Sequence, residues 1–138
     1  MSATENNELN LRWIEAFNDR DWTAESDCRA ADYVAHVPAA PEPLDNAGWE
    51  AFMESFTTAF PDAQIAVGGS ISERNLVATR WTITGTHRGT FQGAGATGRQ
   101  ITMEGLDFSR VADGKILEHW AQFDMIGLMQ QIGAMSGN

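Results

Sequence analysis

The 138 residues carry 9 Lys and Arg against 19 Asp and Glu, a formal charge of −10, so no clustered positive charge exists to hold a phosphate backbone or an anionic bilayer. Nucleic acid and membrane surfaces are excluded as partners, and the length fits a single compact domain over residues 1–138 whose five Trp and seven Phe need a core to bury them. Cys28 is the one cysteine and cannot close an internal disulfide; with no apolar run as long as a signal or a membrane span, the expected location is a reducing cytoplasm.

In chain order, MSATENN is polar and reads as a frayed start, after which Leu9, Trp13, Ala16 and Phe17 recur at helical spacing in a first helix ending near Asn18. Asp21 can cap a second, short helix reaching about Cys28, with Trp22 on its buried side. ADYVAHVP is extended, carries Tyr33 and His36, and is halted by Pro38. Three of the four prolines fall in PAAPEPLDNAG, a loop laid over the rest of the fold. Asn46 is expected to cap a third helix whose Trp49, Phe52, Met53, Phe56 and Phe60 make one apolar face, and Pro61 stops it. From Ala63 the pattern turns to strands: AQIAVGGSIS, a turn at Glu73 to Asn75, then LVATRWTITGTH.

The glycines of RGTFQGAGATGRQ are followed by no P-loop lysine, and the strand before them feeds no helix, so they read as a wide hairpin loop. ITMEGLDFSR, a tight turn at Asp113-Gly114 and a strand ending at Asp124 follow, and a last helix runs from Met125 to about Gly133. Helices first and strands afterward predict an α+β fold, the helices covering one face of a strongly curved antiparallel sheet and leaving a pocket between the layers.

Asp124 lies among Phe123, Met125 and Ile126, and an acid in apolar company is either paired or reactive. The plain alternative is that it caps the last helix. Strand alternation puts Trp120, Gln122 and Asp124 on one face and His119, Ala121 and Phe123 on the other. Asp107 joins the first set if Asp113-Gly114 is a two-residue loop, and the second if the loop has three residues with a bulge at Gly114. The sequence allows both. The first is preferred because it gathers Asp107, Gln122 and Asp124 into one polar cluster, where two carboxylates push each other's proton affinities apart and leave one usable near neutral pH.

His36, His87 and His119 sit on separate segments without ligand spacing, so no metal is expected. His36, after Tyr33 and before the proline-rich loop, is the candidate at the pocket mouth. His119 is assigned to the face opposite Asp124, at a subunit contact or in a satisfied hydrogen bond. No serine occupies a nucleophile elbow and Cys28 has no base beside it, so covalent catalysis has no support.

FPD at Phe60 to Asp62, TGTHRGTFQG at Thr84 to Gly93, TGR at Thr97 to Arg99 and RVADGKILEHWAQFD at Arg110 to Asp124 together make a chain that resembles the SnoaL-like polyketide cyclases of the nuclear transport factor 2-like superfamily. The resemblance implies a cone-shaped α+β barrel, often a homodimer, enclosing a pocket for an apolar or aromatic small molecule and using no organic cofactor. It also implies intramolecular aldol chemistry with a pocket Asp as general acid/base, at the position matching Asp124, while some sister proteins take part in hydroxylation. Gln122, Asp107 and His36 would then orient carbonyl oxygens, and Trp120, Tyr33, Phe52 and Trp13 would supply flat walls. Two departures count against other chemistries of the superfamily. Limonene-type epoxide hydrolases use an Arg-x-Asp pair where this chain has Arg80-Trp81-Thr82, and ketosteroid isomerases use a helix-one Tyr where it has Trp13.

Three readings follow: a cofactor-independent cyclase or lyase with Asp124, Asp107 and His36 as the catalytic candidates; a non-catalytic carrier of small apolar ligands; and a dimeric interaction module using the sheet face of Leu117, His119 and Phe123. An open cavity favours the first two, and a cavity filled by side chains favours the third.

Overall fold

The computed structural model describes residues 2–134. Its elements run α1 (Ala3–Asn18), α2 (Trp22–Asp27), β1 (Arg29–His36), α3 (Asn46–Ala59), β2 (Gln64–Glu73), β3 (Leu76–Thr86), β4 (Gln100–Ala112), β5 (Lys115–Phe123) and α4 (Met125–Gln131). The polar start is helical, not frayed. The Ser2 hydroxyl accepts the Glu5 backbone N–H while the Glu5 carboxylate accepts the Ser2 N–H, a reciprocal cap that starts α1 four residues before MSATENN ends. The α3 cap is Asp45, which accepts the Gly48 N–H at 2.8 Å. Asn46 instead donates to the carbonyls of Ala30 and Ala31, tying the helix to β1.

The strands form one sheet in the order β1-β5-β4-β3-β2. All neighbours are antiparallel except β1 and β5, which run parallel, with β1 on the edge beside the last strand of the β2–β5 meander. Irregularities between Val67 and Gly69, and between Arg110 and Val111, bend the sheet around the helices. This is the expected α+β architecture.

The second of these irregularities decides the site. Asp113 and Gly114 both have positive φ, 52° and 74°, the geometry of a type I′ turn, and Ala112 pairs with Lys115 across a two-residue loop. Val111 then pairs with Ile116, but Arg110 pairs with Glu118, so Leu117 is an extra residue with no partner. That one-residue slip turns every later side chain of the pair over. Asp107 faces Ala121, not Trp120, and the expected cluster of Asp107 with Gln122 and Asp124 does not form.

Two apolar clusters fill the space between sheet and helices. One gathers Phe17, Phe56, Phe60, Phe91, Ile101, Met103, Leu128 and Ile132; the other gathers Leu9, Trp13, Tyr33, Trp49, Val111 and Ile116. The aromatic stripe of α3 feeds both, Trp49 into the second and Phe56 into the first. Partly buried Met53 and Phe123 touch both clusters, and the cavity opens where the two meet.

Candidate functional site

The cavity holds about 100 Å³ and is walled by Trp13, Phe17, Trp49, Phe52, Phe56, Trp81, Met103, Ala121, Phe123 and Met125, with two carboxylates, Glu25 and Asp107, among the lining residues. Asp107 reaches it from the middle of β4 by that strand's own alternation, on the same face as Ile101, Met103 and Val111, and the slip at Leu117 turns His119 and Ala121 of β5 inward beside it. Its Oδ1 accepts the Trp81 Nε1–H at 2.7 Å, and its Oδ2 lies 3.2 Å from His119 Nε2. The carboxylate sits off the line of that ring N–H, so Nε2 makes no formed hydrogen bond although it is fully buried.

His119 is held from three sides. Its Nδ1 is 3.3 Å from the Tyr33 hydroxyl, and the Trp13 and Trp49 rings pack edge-on at centroid distances of 5.0 and 5.4 Å. Burial pushes the Tyr33 hydroxyl far above its ordinary pKa, against the opposing pull of Arg29, so it stays a neutral donor and acceptor. Trp81 owes its pose to a glycine. It pairs directly with Gly105, and a Cβ at that position would lie 2.3 Å from the ring, so only glycine lets the indole lie across β4 and point its N–H at Asp107.

Glu25, only 3% exposed, forms the second polar post. Its Oε2 accepts the indole N–H groups of Trp13 at 2.8 Å and Trp49 at 3.0 Å, while Oε1 pairs with Arg29 at 2.9 Å. A carboxylate with three strong donors satisfies the burial requirement for a charge, and it fixes both indoles that press on His119.

Of the residues singled out from sequence, Trp13, Phe52 and Asp107 line the cavity, and Tyr33 lies behind it as the partner of His119. The other four do not. Asp124 is exposed and caps α4 by accepting the Gly127 N–H at 2.8 Å. Trp120 and Gln122 point to the outer face, where Trp120 stacks on His36 at 5.3 Å with the rings 9° from parallel. His36 is therefore not at a cavity mouth; its Nε2 meets Glu118 Oε2 at 2.7 Å, and Glu118 is held below the ordinary carboxylate range by Arg110 first and His36 second. Sequence reasoning missed His119 as a site residue, along with Trp81, Glu25 and Trp49. The slip explains His119. Its only trace in the sequence is the adjacent apolar pair Ile116-Leu117, which breaks the alternation a regular strand would keep.

Helices wrapped on one face of a curved, mostly antiparallel sheet, with an apolar cavity and one acid–imidazole contact between the layers, define an α+β cone of the nuclear transport factor 2-like kind. The model of the SnoaL-like polyketide cyclase family matches residues 7–132, and the chain belongs to that family. It is 30% identical over 134 residues to aklanonic acid methyl ester cyclase DauD of Streptomyces sp. (strain C5), covering 91% of this chain and 80% of that protein. Among solved structures it is similar to AclR, a candidate hydroxylase from Streptomyces galilaeus (30% identity, 98% of this chain and 100% of that one, TM-score 0.89). It is likewise similar to IdmH, a candidate polyketide cyclase from Streptomyces antibioticus (34% identity, 93% and 98%, TM-score 0.83).

Proposed function

We propose that the protein is a cofactor-independent acid/base catalyst that closes a ring in a polyketide-like aromatic carbonyl compound, with Asp107 as the proton-transferring group. The observation that carries this reading is that Asp107 brings a carboxylate into an apolar cavity, with the buried His119 imidazole 3.2 Å behind it. The role moves from Asp124, which the cap holds at the surface.

The carboxylate removes a proton from carbon beside a carbonyl. The resulting enolate spreads its charge over the substrate's conjugated system and attacks a second carbonyl carbon of the same molecule, forming one carbon–carbon bond. The new alkoxide then takes the proton back. Trp81 fixes the carboxylate that does the work, His119 packs behind that carboxylate, and the flat walls of Trp13, Trp49 and Phe52 hold the chain folded for attack.

The test uses aklanonic acid methyl ester and simpler β-ketoacyl aromatics, with ring closure followed by mass-resolved chromatography. Asp107→Asn keeps the shape and the Trp81 hydrogen bond but removes the base, and turnover is expected to fall by about 10²–10⁴. Full turnover in Asp107→Asn refutes the assignment. Tight binding of the same compounds without turnover in the unaltered protein favours a carrier instead.

The outer sheet face is the candidate homodimer surface. Leu106 and Phe108 of β4 and Ile71 of β2 are 59%, 42% and 76% exposed and adjoin Trp120. This is a different face from the one assigned from sequence, because His119 and Phe123 point inward. A second copy covering it would bury these side chains. Sedimentation velocity is expected to show a dimer that Phe108→Glu converts to monomer; a monomer at tens of micromolar in the unaltered protein removes the idea.

A further inference from the structure

Two hollows of unequal size meet at two shared side chains. The inner cavity, about 100 Å³, falls short of the roughly 300 Å³ at which ordinary ligand pockets begin. Beside it, between α2 and α3, lies a groove of about 660 Å³ lined by Trp22, Thr23, Ser26, Asp27, Glu50, Glu54 and Thr57. Glu25 and Met53 belong to both linings, so together they form the partition.

The two halves of that partition differ in freedom. Glu25 is locked by two indoles and Arg29. Met53 is half-buried and unbranched, with rotatable bonds and no polar atom to hold it, the kind of side chain that moves aside at small cost. Hollows on the outer face share Trp81, Phe123 and Asp107 with the cavity, but a continuous backbone ladder through β3, β4 and β5 stands between, and passing it means breaking hydrogen bonds of the sheet.

We infer that the α2–α3 groove is the second half of the ligand site, that Met53 is the gate between its halves, and that the occupant is a fused-ring aromatic compound whose apolar end enters the cavity while a hydroxyl- or amino-bearing end stays in the groove. This rests on the small-molecule reading above but not on proton transfer by Asp107. The polarity of the far end follows from the groove's chemistry. Asp27, Glu50 and Glu54 offer carboxylates and Thr23, Ser26 and Thr57 offer hydroxyls, whereas the one cation, Arg29, is already engaged by Glu25, Glu50 and Asn46. Donor groups are welcomed there and a free carboxylate is repelled.

The probe is 1,8-dihydroxyanthraquinone, which has no ring left to close, so its binding is independent of whether the protein catalyses anything. Calorimetry and stopped-flow fluorescence would follow it on the unaltered chain, on Met53→Ala, and on Glu54→Trp, which fills the groove from an exposed position. Met53→Ala is expected to speed association by about tenfold, and Glu54→Trp to weaken binding by at least about tenfold. Anthraquinone-2-carboxylate is expected to bind at least about tenfold more weakly than the dihydroxy probe. If Met53→Ala proves too unstable to study, Met53→Ile, of nearly equal volume but stiff at χ1, is expected to slow association instead. Failure of the unaltered chain to bind the probe, binding indifferent to Met53 and Glu54 replacements, or a preference for the carboxylate each overturns the inference. None of these outcomes bears on turnover in Asp107→Asn.

Discussion

Replacing Gly105 by Ala puts a methyl group where the Trp81 ring lies. The added carbon would sit 2.3 Å from Cζ2, 2.4 Å from Cη2 and 2.9 Å from Cε2, against a comfortable separation of about 3.5–4.0 Å. The ring must retreat by more than about 1 Å, and it has little room, being 6% exposed with the Phe123 ring centroid 6.2 Å away. Overpacking of this kind costs about 1–3 kcal/mol, and losing the 2.7 Å hydrogen bond to a charged acceptor costs a further share of about 1.5–3 kcal/mol. The two overlap, since one displacement causes both, so a loss of about 3 kcal/mol is expected in urea unfolding followed by tryptophan fluorescence. Trp81→Phe removes the N–H and shrinks the ring, so in the double variant the methyl should cost much less than it does alone. Turnover should fall with Gly105→Ala because Asp107 loses its fixing donor. A Gly105→Ala protein within about 0.5 kcal/mol of the original, or additive costs in the double variant, would show that the indole is not held as described.

Two further outcomes follow from the buried polar groups. Glu25→Gln leaves the Arg29 guanidinium, 1% exposed, with only the largely exposed Glu50 as a carboxylate partner, and a loss of about 3 kcal/mol in denaturant unfolding is expected; an unchanged midpoint would mean the indoles, not the charge pair, hold this corner. Tyr33 is the chain's single tyrosine, so the ultraviolet band of phenolate reports it alone. Its folded pKa is raised by burial, so its contribution to stability is complete below the unfolded value of about 10 and drains away as pH climbs from there toward the folded value. Phenolate should appear only together with loss of tryptophan packing, and a separate, earlier titration would contradict the burial.

Much of this architecture was legible in the sequence because local patterns and tertiary packing agree. The Trp49-to-Phe60 stripe is apolar at helical spacing and does face the core, and Asp113-Gly114 is the turn its residue types demand. The site was only half legible. Trp13, Phe52 and Asp107 reach the cavity, but the register that decides Asp107's neighbours depends on one unpaired residue whose cost and benefit lie in sheet curvature, which no local pattern encodes. Glu25 was invisible for another reason. In the short polar helix WTAESD it reads as a solvated acid, and only the convergence of two distant indoles and Arg29 makes its burial affordable. Asp124 showed both of its possible roles, and the geometry supports the cap.

Leu117 works like a one-letter insertion in a phased message. Upstream of it, from Lys115, the strand reads in step with β4 through the tight turn; downstream, inside and outside exchange places. Deleting that single residue would therefore act as an inversion and not a trim, sending Trp120 and Gln122 inward against Asp107 and carrying His119 and Phe123 out to water. Removing Leu117 would thus change the cavity's chemistry wholesale while every other side chain stays the same.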